Sequence, residues 1–216
     1  MFVGHFAVGL VAKRVEPRLS LGTLVLAAML ADFLWVIFLI AGIEHVQFKP
    51  GRGAANYLDS SDVVWSHSLL MILIWAALFA AAFFLRRHYA RGAWVLAAAV
   101  LSHWLLDFIS LKSPLAPGVA SEVGIGLWRS VPATIIVEGG FWVLAIILYV
   151  RATHTRNRLG VFAFWTVIAL LTLAWYNNIT GAPPPNPRVA GISSLIFFSL
   201  AVVWAYWMNR VRPSES

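Results

Sequence analysis

The chain has 216 residues, of which 61% are hydrophobic and 12% are charged, about half the charged content of an ordinary soluble domain. Its mean hydropathy is +0.81, so the composition excludes a soluble globular protein and indicates an integral membrane protein. The net charge of +7 does not indicate nucleic-acid binding, because basic residues gather in the connectors beside membrane spans. The sequence has no cysteine, which excludes disulfides and thiolate zinc sites and leaves His, carboxylate and water as metal ligands.

Seven apolar segments are predicted as helices. Residues 2–12 are about half a membrane thick and predict a short N-terminal helix. Six segments long enough to span come after it, at residues 19–43, 63–85, 93–111, 131–150, 159–180 and 189–208. The predicted fold is therefore all-α: a polytopic transmembrane helical bundle of six full spans plus the short N-terminal helix, forming a single integral membrane domain over residues 1–216.

Basic residues are concentrated in every second connector. The connectors at 13–18, 86–91, 151–158 and 210–212 hold most of the 16 Lys and Arg residues. Strict alternation of the spans places these four connectors on one side of the membrane, which is cytoplasmic by the positive-inside rule. The C-terminus is therefore predicted to be cytoplasmic, and the connectors at 44–62 and 112–130 are predicted to be extracytoplasmic.

Ionisable residues within the apolar segments are the candidate functional residues. His103 and Asp107 are four residues apart, so on a helix they share one face and can bind the same cation. Charged groups in hydrocarbon are unfavourable unless they are paired or bind a metal. Four further segments carry one such residue each: His5, Asp32, His67 and Glu138. If the first helix crosses the membrane, the predicted topology brings all six residues to the extracytoplasmic half of the bilayer.

The same residues also have simpler interpretations. His103 and Asp107 could form a polar contact between helices, and Asp32 could be a paired intramembrane acid or a proton-relay group. His67 could be interfacial, and Glu138 could either accept a hydrogen bond from a ligand histidine or meet Arg129. Three histidines in polar connectors are predicted to be solvated: His45, His88 and His154.

These residues carry a family resemblance. The order His5, Asp32, Ser66-His67-Ser68-Leu69, His103-x-x-x-Asp107, Gly126-Leu127-Trp128 and Glu138 resembles the membrane-bound metal-dependent hydrolases, also described as LexA-binding, inner-membrane-associated hydrolases. The similarity covers roughly residues 1–150 as a hydrolase-like core, and two additional transmembrane helices at 159–208 add little to it. The resemblance implies an inner-membrane location and a metal-dependent hydrolytic activity.

A more distant similarity is to zinc-dependent phospholipase C and P1 nuclease. It implies that Asp32, His67, His103 and Asp107 hold one ion, and that His5 shares Asp107 with a second. The sequence lacks the later histidines of those enzymes and has Thr134 where their His-x-x-x-Glu pair would place a histidine before Glu138. One or two ions are therefore expected rather than three, with zinc as the first candidate and manganese or iron as alternatives.

The expected function is hydrolysis of a phosphoester in a phospholipid or lipid-linked phosphate at the extracytoplasmic face. A bound ion supplies the Lewis-acid chemistry for this reaction. Asp32, His67 and Asp107 are the expected catalytic residues, with Arg129 and Lys112 as phosphate-binding residues. The first alternative is a metal-ion or proton-coupled transporter that uses the same intramembrane residues. The second alternative is haem ligation by paired histidines, which the neighbouring acids disfavour. The third is a non-catalytic membrane scaffold.

Overall fold

The computed structural model describes residues 1–48, 58–59, 62–155, 157–182 and 184–214, and the part of the chain it describes is almost entirely helical. The helices are α1 Phe2–Val15, α2 Leu21–Ala28, α3 Leu30–Ile40, α4 Leu69–Arg87, α5 Ala90–Ser110, α6 Val131–Ala152, α7 Arg158–Thr180 and α8 Pro187–Val211, with a 3-10 helix at Leu127–Arg129. Two antiparallel strand pairs lie in the connectors: β1 Gln47–Phe48 with β2 Leu58–Asp59, and β3 Ser113–Pro114 with β4 Glu122–Val123. The prediction of an all-α membrane bundle is confirmed.

Within the described residues, five helices, α4 to α8, are long and apolar enough to cross a membrane, and α2 and α3 together make a sixth candidate. The segment predicted as one span at 19–43 is a broken helix pair, because α2 and α3 meet at an angle of 58°. Met29 forms the joint with φ −98° and ψ 6°. No Pro or Gly marks this joint in the sequence, so the bend depends on tertiary contacts rather than on local propensity.

The span predicted at 63–85 also begins later than expected. Helix α4 starts at Leu69, because the Ser68 side chain accepts a hydrogen bond from Met71 N and caps the first turn. His67 therefore lies in the turn before the helix rather than within its first turn.

The short helix α1 occupies the centre of the bundle and packs against α2, α5, α6 and α7. One hydrophobic cluster joins α1, α2 and α3 to α6, α7 and α8, and a second joins α1, α2 and the start of α3 to α4 and α5. Helices α1 and α2 belong to both clusters. Protein rather than lipid therefore surrounds α1, which explains how a helix too short to span is stable at this position.

Helices α1 and α2 approach each other closely at Gly9. A Cβ atom on Gly9 would lie 2.7 Å from Val25 Cγ2 and 3.1 Å from Val25 Cα. Since part of this contact is with backbone, a side chain at position 9 would push the two helices apart. Small residues allow this kind of close helix approach in membrane proteins.

The basic connectors meet at one end of the bundle. Arg91 Nε lies 3.0 Å from Glu16 Oε2, which joins the connector after α1 to the start of α5. Arg212 Nε donates a 2.7 Å hydrogen bond to Thr153 Oγ1, which joins the C-terminal segment to the end of α6. Asp107 lies about 25 Å further along α5 from this basic end, at 1.5 Å per residue. The residues predicted as ligands are thus at the other end of the bundle.

We expect Gly9→Ala to lower the free energy of unfolding by about 1–3 kcal/mol, because the added methyl group overpacks the α1–α2 contact. Gly140→Ala is the matched control: Gly140 is helical and exposed, and nothing lies within 4 Å of a Cβ atom built there. Thermal unfolding in detergent should show a lower Tm for Gly9→Ala and an equal or higher Tm for Gly140→Ala. Equal Tm values for Gly9→Ala and the wild type would contradict the close packing of α1 and α2.

The predicted orientation can be tested with single cysteines, since the native sequence has none. Arg87→Cys lies at the basic end and Ala120→Cys lies in the connector between α5 and α6, and both positions are exposed. In right-side-out vesicles, an impermeant maleimide should label position 120 at once and position 87 only after permeabilisation. Labelling in the opposite order would reverse the orientation.

Candidate metal centre

The structure brings five of the six ionisable residues of the apolar segments together. Asp32 Oδ1 lies 3.6 Å from His67 Nε2 and 3.8 Å from His103 Nε2, and these two Nε2 atoms are 3.3 Å apart. Asp107 Oδ2 lies 3.5 Å from His103 Nε2 and 3.9 Å from His67 Nε2. Asp107 Oδ1 lies 3.3 Å from His5 Nε2. The groups His5–His103–Asp107 and Asp32–His67–His103 each have ligand atoms within 4.8 Å of one another.

Four separate segments supply these side chains. His103 and Asp107 lie one turn apart near the end of α5, as their spacing predicts. Asp32 lies in the first turn of α3, directly after the bend, where the helix N-terminus favours a carboxylate. His67 is in the turn before α4, and His5 is near the start of α1. The site therefore exists only when these elements are packed together.

Hydrogen bonds fix the ring orientation of two histidines. His103 Nδ1 lies 2.8 Å from the carbonyl oxygen of Ala28, at the C-terminal end of α2. A carbonyl oxygen only accepts hydrogen bonds, so His103 Nδ1 carries the proton. His67 Nδ1 lies 2.7 Å from Ser66 Oγ. In a neutral His103 ring Nε2 is then the unprotonated nitrogen that points into the cluster, which is the arrangement typical of metal-bound histidines.

His103 Nε2, which is unprotonated in the neutral ring, faces His67 Nε2 at 3.3 Å, so a proton or a metal cation must lie between these two nitrogens. The carboxylates of Asp32 and Asp107 already favour positive charge here. Although burial disfavours its charged form, His67, which lies outside the spanning helices, has its pKa raised by the nearby charges of Asp107 and Asp32. The same electrostatic environment favours a divalent cation.

The distances also suit a tetrahedral ion. Zinc bonds of about 2.0–2.1 Å in a tetrahedron separate neighbouring ligand atoms by about 3.3–3.4 Å. Four atoms approach this spacing: Asp32 Oδ1, His67 Nε2, His103 Nε2 and Asp107 Oδ2. Five of the six distances between them run from 3.3 to 3.9 Å. The residues present thus fit a divalent metal such as zinc after small side-chain movements.

His5 is on the other side of Asp107 from these atoms. Its ring stacks on the His103 ring, with centroids 3.6 Å apart and an interplanar angle of 2°. The α-amino group of Met1 lies 2.7 Å from Asp107 Oδ1 and 3.2 Å from His5 Nε2. Asp107 therefore presents one carboxylate oxygen to each half of the cluster. It is the residue best placed to connect two cation positions.

A cavity of about 200 Å³ adjoins the cluster. Asp32 and His67 keep 18% and 16% of their side chains exposed, whereas His103 and Asp107 are almost fully buried. Asp32 and His67 are thus the most accessible members of the cluster, and His5 and Asp107 also line the cavity. The lining combines apolar and polar residues from α3, α7 and α8, among them Trp35, Asn178, Ser193, Ser194 and Phe198. The last two helices, to which the sequence assigned no role, therefore form one wall of the cavity.

Glu138 is fully buried but lies apart from the five clustered residues. Its Oε1 accepts a 3.3 Å hydrogen bond from Gly4 N, and its Oε2 accepts a 3.2 Å hydrogen bond from Trp128 Nε1. Gly4 precedes His5, so Glu138 holds the beginning of α1 against α6. The three connector histidines predicted to be solvated are exposed: His45, His88 and His154.

The two basic residues predicted to bind phosphate are placed differently. Lys112 is exposed and lines the cavity. Arg129 is not among the cavity-lining residues in the described part of the chain, and its side chain folds against Gly126. Its neighbour Trp128 does line the cavity.

Glu44 and Ser66 are polar residues next to the cluster that the sequence did not single out. Both are fully buried. Ser66 N and Ser66 Oγ each donate a hydrogen bond to the Glu44 carboxylate, at 2.8 and 2.7 Å. In the sequence Glu44 is a charged residue in a polar connector, and nothing distinguishes it as a partner of the site. The position of Ser66 directly before His67 was the one sequence feature that pointed to this contact.

Comparison with known proteins provides a family. No curated protein and no solved structure matches the chain significantly. The YdjM inner membrane protein family matches residues 1–180, a range that includes all five clustered residues and helices α1 to α7. The match extends beyond residue 150, where the sequence resemblance was expected to end. Since it covers most of a chain rich in apolar helices, the protein belongs to the YdjM inner membrane protein family and is integral to the membrane.

Proposed function

We propose that this protein is a membrane-embedded metal-dependent hydrolase that cleaves a phosphoester of a phospholipid or lipid-linked phosphate at the extracytoplasmic face. The observation that carries the proposal is the cluster of ligand atoms from Asp32, His67, His103 and Asp107 beside a cavity, with five of their six separations between 3.3 and 3.9 Å. The resemblance to metal-dependent hydrolases gives the reaction class.

Asp32, His67, His103 and Asp107 would hold the first divalent ion, with zinc preferred and manganese or iron as alternatives. His103 offers only Nε2, because its Nδ1 is bound to Ala28 O. Asp107 has a second oxygen, which faces His5. His5 and Asp107 would therefore complete any second ion site, and Glu138 would support that site from outside by fixing the start of α1.

The ion supplies Lewis-acid chemistry for attack on phosphorus. The protein orients the reactants: Asp32, His67 and Asp107 line the cavity, so a water molecule and a phosphoester would approach the ion from the cavity. The Asp32 carboxylate is the group best placed to take the proton of that water. His103 is buried and is not among the described residues that line the cavity, so it would exclude bulk water from the far side of the ion.

The cavity supports a lipid phosphate as the substrate class. Its volume of about 200 Å³ is below the range of about 300–1,000 Å³ that encloses drug-sized ligands. It could therefore admit a phosphate head group but not acyl chains, which would remain in the bilayer. Lys112 at the lining would bind the phosphate oxygens. Arg129 would contribute to phosphate binding only after its side chain moves away from Gly126.

Purified protein in detergent should release phosphorus-containing product from a panel of phosphatidylethanolamine, phosphatidylglycerol and polyprenyl phosphate ester micelles, followed by ³¹P NMR. A chelator should abolish turnover, and zinc should restore it. Turnover in detergent needs no ion gradient, which distinguishes an enzyme from a transporter. Zinc or proton flux in proteoliposomes, without hydrolysis of any of these lipids, would contradict the proposal and favour the transporter.

Asp107→Asn should abolish metal binding and lower turnover by more than about 100-fold, because even a residue that only supports a metal ligand contributes about 10–100-fold. His154→Gln is the matched control, since His154 is exposed at the basic end of the bundle. Elemental analysis and the ³¹P assay measure both effects, and Tm verifies folding. Wild-type metal content in folded Asp107→Asn would contradict the assignment of this ligand.

A further inference from the structure

We propose that Glu44 and Ser66 are positioning residues that select the metal-binding tautomer of His67. The inference rests on the metal centre of the proposed function and goes beyond it, because neither residue contacts the ion position. Both side chains are fully buried, and among the described residues a hydrogen-bond chain through His67 Nδ1 joins them to the cluster.

The hydrogen bonds along this chain have a defined direction. Ser66 Oγ donates to Glu44 Oε2 at 2.7 Å, and Ser66 N donates to Glu44 Oε1 at 2.8 Å. An ionised carboxylate only accepts hydrogen bonds, and a hydroxyl group has a single proton to donate. Ser66 Oγ must therefore accept the bond from His67 Nδ1, at 2.7 Å. This places the ring proton on Nδ1 and leaves Nε2 unprotonated.

The position of the ring proton determines whether His67 can bind a metal ion. His67 Nε2 lies 3.6 Å from Asp32 Oδ1 and 3.3 Å from His103 Nε2. If the proton were on Nε2, this nitrogen could not bind a metal ion. For His103, the backbone carbonyl of Ala28 selects the same tautomer. His67 lies in a turn rather than a helix, so it depends on side chains for its orientation.

Backbone hydrogen bonds to α3 also hold Glu44 in place. Glu44 N and Ile43 N both donate to Phe38 O in the last turns of α3, at 3.3 and 2.8 Å. The carboxylate therefore ties the end of α3 to the turn that carries His67. This contact connects two segments that are more than 20 residues apart in sequence and fixes the ring without entering the cavity.

Glu44→Gln tests the direction of the chain with almost no change in volume. The Gln carbonyl oxygen can keep the bond from Ser66 N, which turns its amide NH₂ toward Ser66 Oγ. Ser66 would then donate its proton to His67 Nδ1, and the ring proton would move to Nε2. Ser66→Ala removes the connection instead. Ser68→Ala is the matched control, because Ser68 is equally buried in the same turn but caps α4.

The experiment titrates the metal-free protein in detergent with zinc against a chromophoric chelator. We expect Glu44→Gln and Ser66→Ala to weaken zinc binding by about 10–100-fold, the range for partners that orient metal ligands. Ser68→Ala should bind zinc as the wild type does, with a lower Tm from the lost cap. Wild-type affinity in both folded variants would overturn the inference while leaving the metal centre intact. A wild-type protein that binds no zinc would overturn both.

A second measurement does not depend on the variants or on turnover. ¹⁵N NMR of the metal-free wild type, with His67 assigned by comparison with His67→Asn, should show the ring proton on Nδ1. In Glu44→Gln it should move to Nε2. A wild-type ring protonated on Nε2 alone would overturn the inference.

Discussion

The desolvation of charged side chains is the constraint on which this structure depends. His103 and Asp107 are 1% and 6% exposed near the end of a membrane-length helix, where an uncompensated carboxylate is strongly unfavourable. Asp32 adds a second carboxylate within reach of the same histidines. The α-amino group of Met1 provides positive charge to only one oxygen of Asp107 among the described residues, and neutral imidazoles offer the remaining carboxylate oxygens hydrogen bonds but no positive charge. A shared cation compensates both carboxylates and the facing histidine nitrogens together, which a set of separate polar contacts does not.

The bend between α2 and α3 and the buried short helix α1 both position the ligand side chains. The bend at Met29 directs the first turn of α3 toward α5 and leaves the carbonyl of Ala28 at a helix end, where it accepts the His103 ring proton. The short helix α1 carries His5 into the centre of the protein and is held there by Gly9 and Glu138. Substitutions that remove these contacts would keep the ligand side chains but displace them, and metal sites are sensitive to such displacements.

Sequence reasoning could predict the features that depend on local periodicity and on charge. The four-residue spacing of His103 and Asp107 placed them on one face, and the alternation of basic connectors placed the candidate ligands at one end of the bundle. It could not predict the bend at Met29, because no Pro or Gly marks it. It also gave Glu44 no role, because a partner 22 residues away in sequence leaves no local pattern. Long-range contacts between side chains decided each of these features.

The most direct test of the central claim is an anomalous difference map from crystals of protein purified without chelator, recorded at the absorption edge of the bound metal. The account predicts a peak about 2.0–2.2 Å from His67 Nε2 and His103 Nε2, and at a similar distance from carboxylate oxygens of Asp32 and Asp107. The absence of any peak, with these side chains hydrogen-bonded directly to one another or to water, would contradict it.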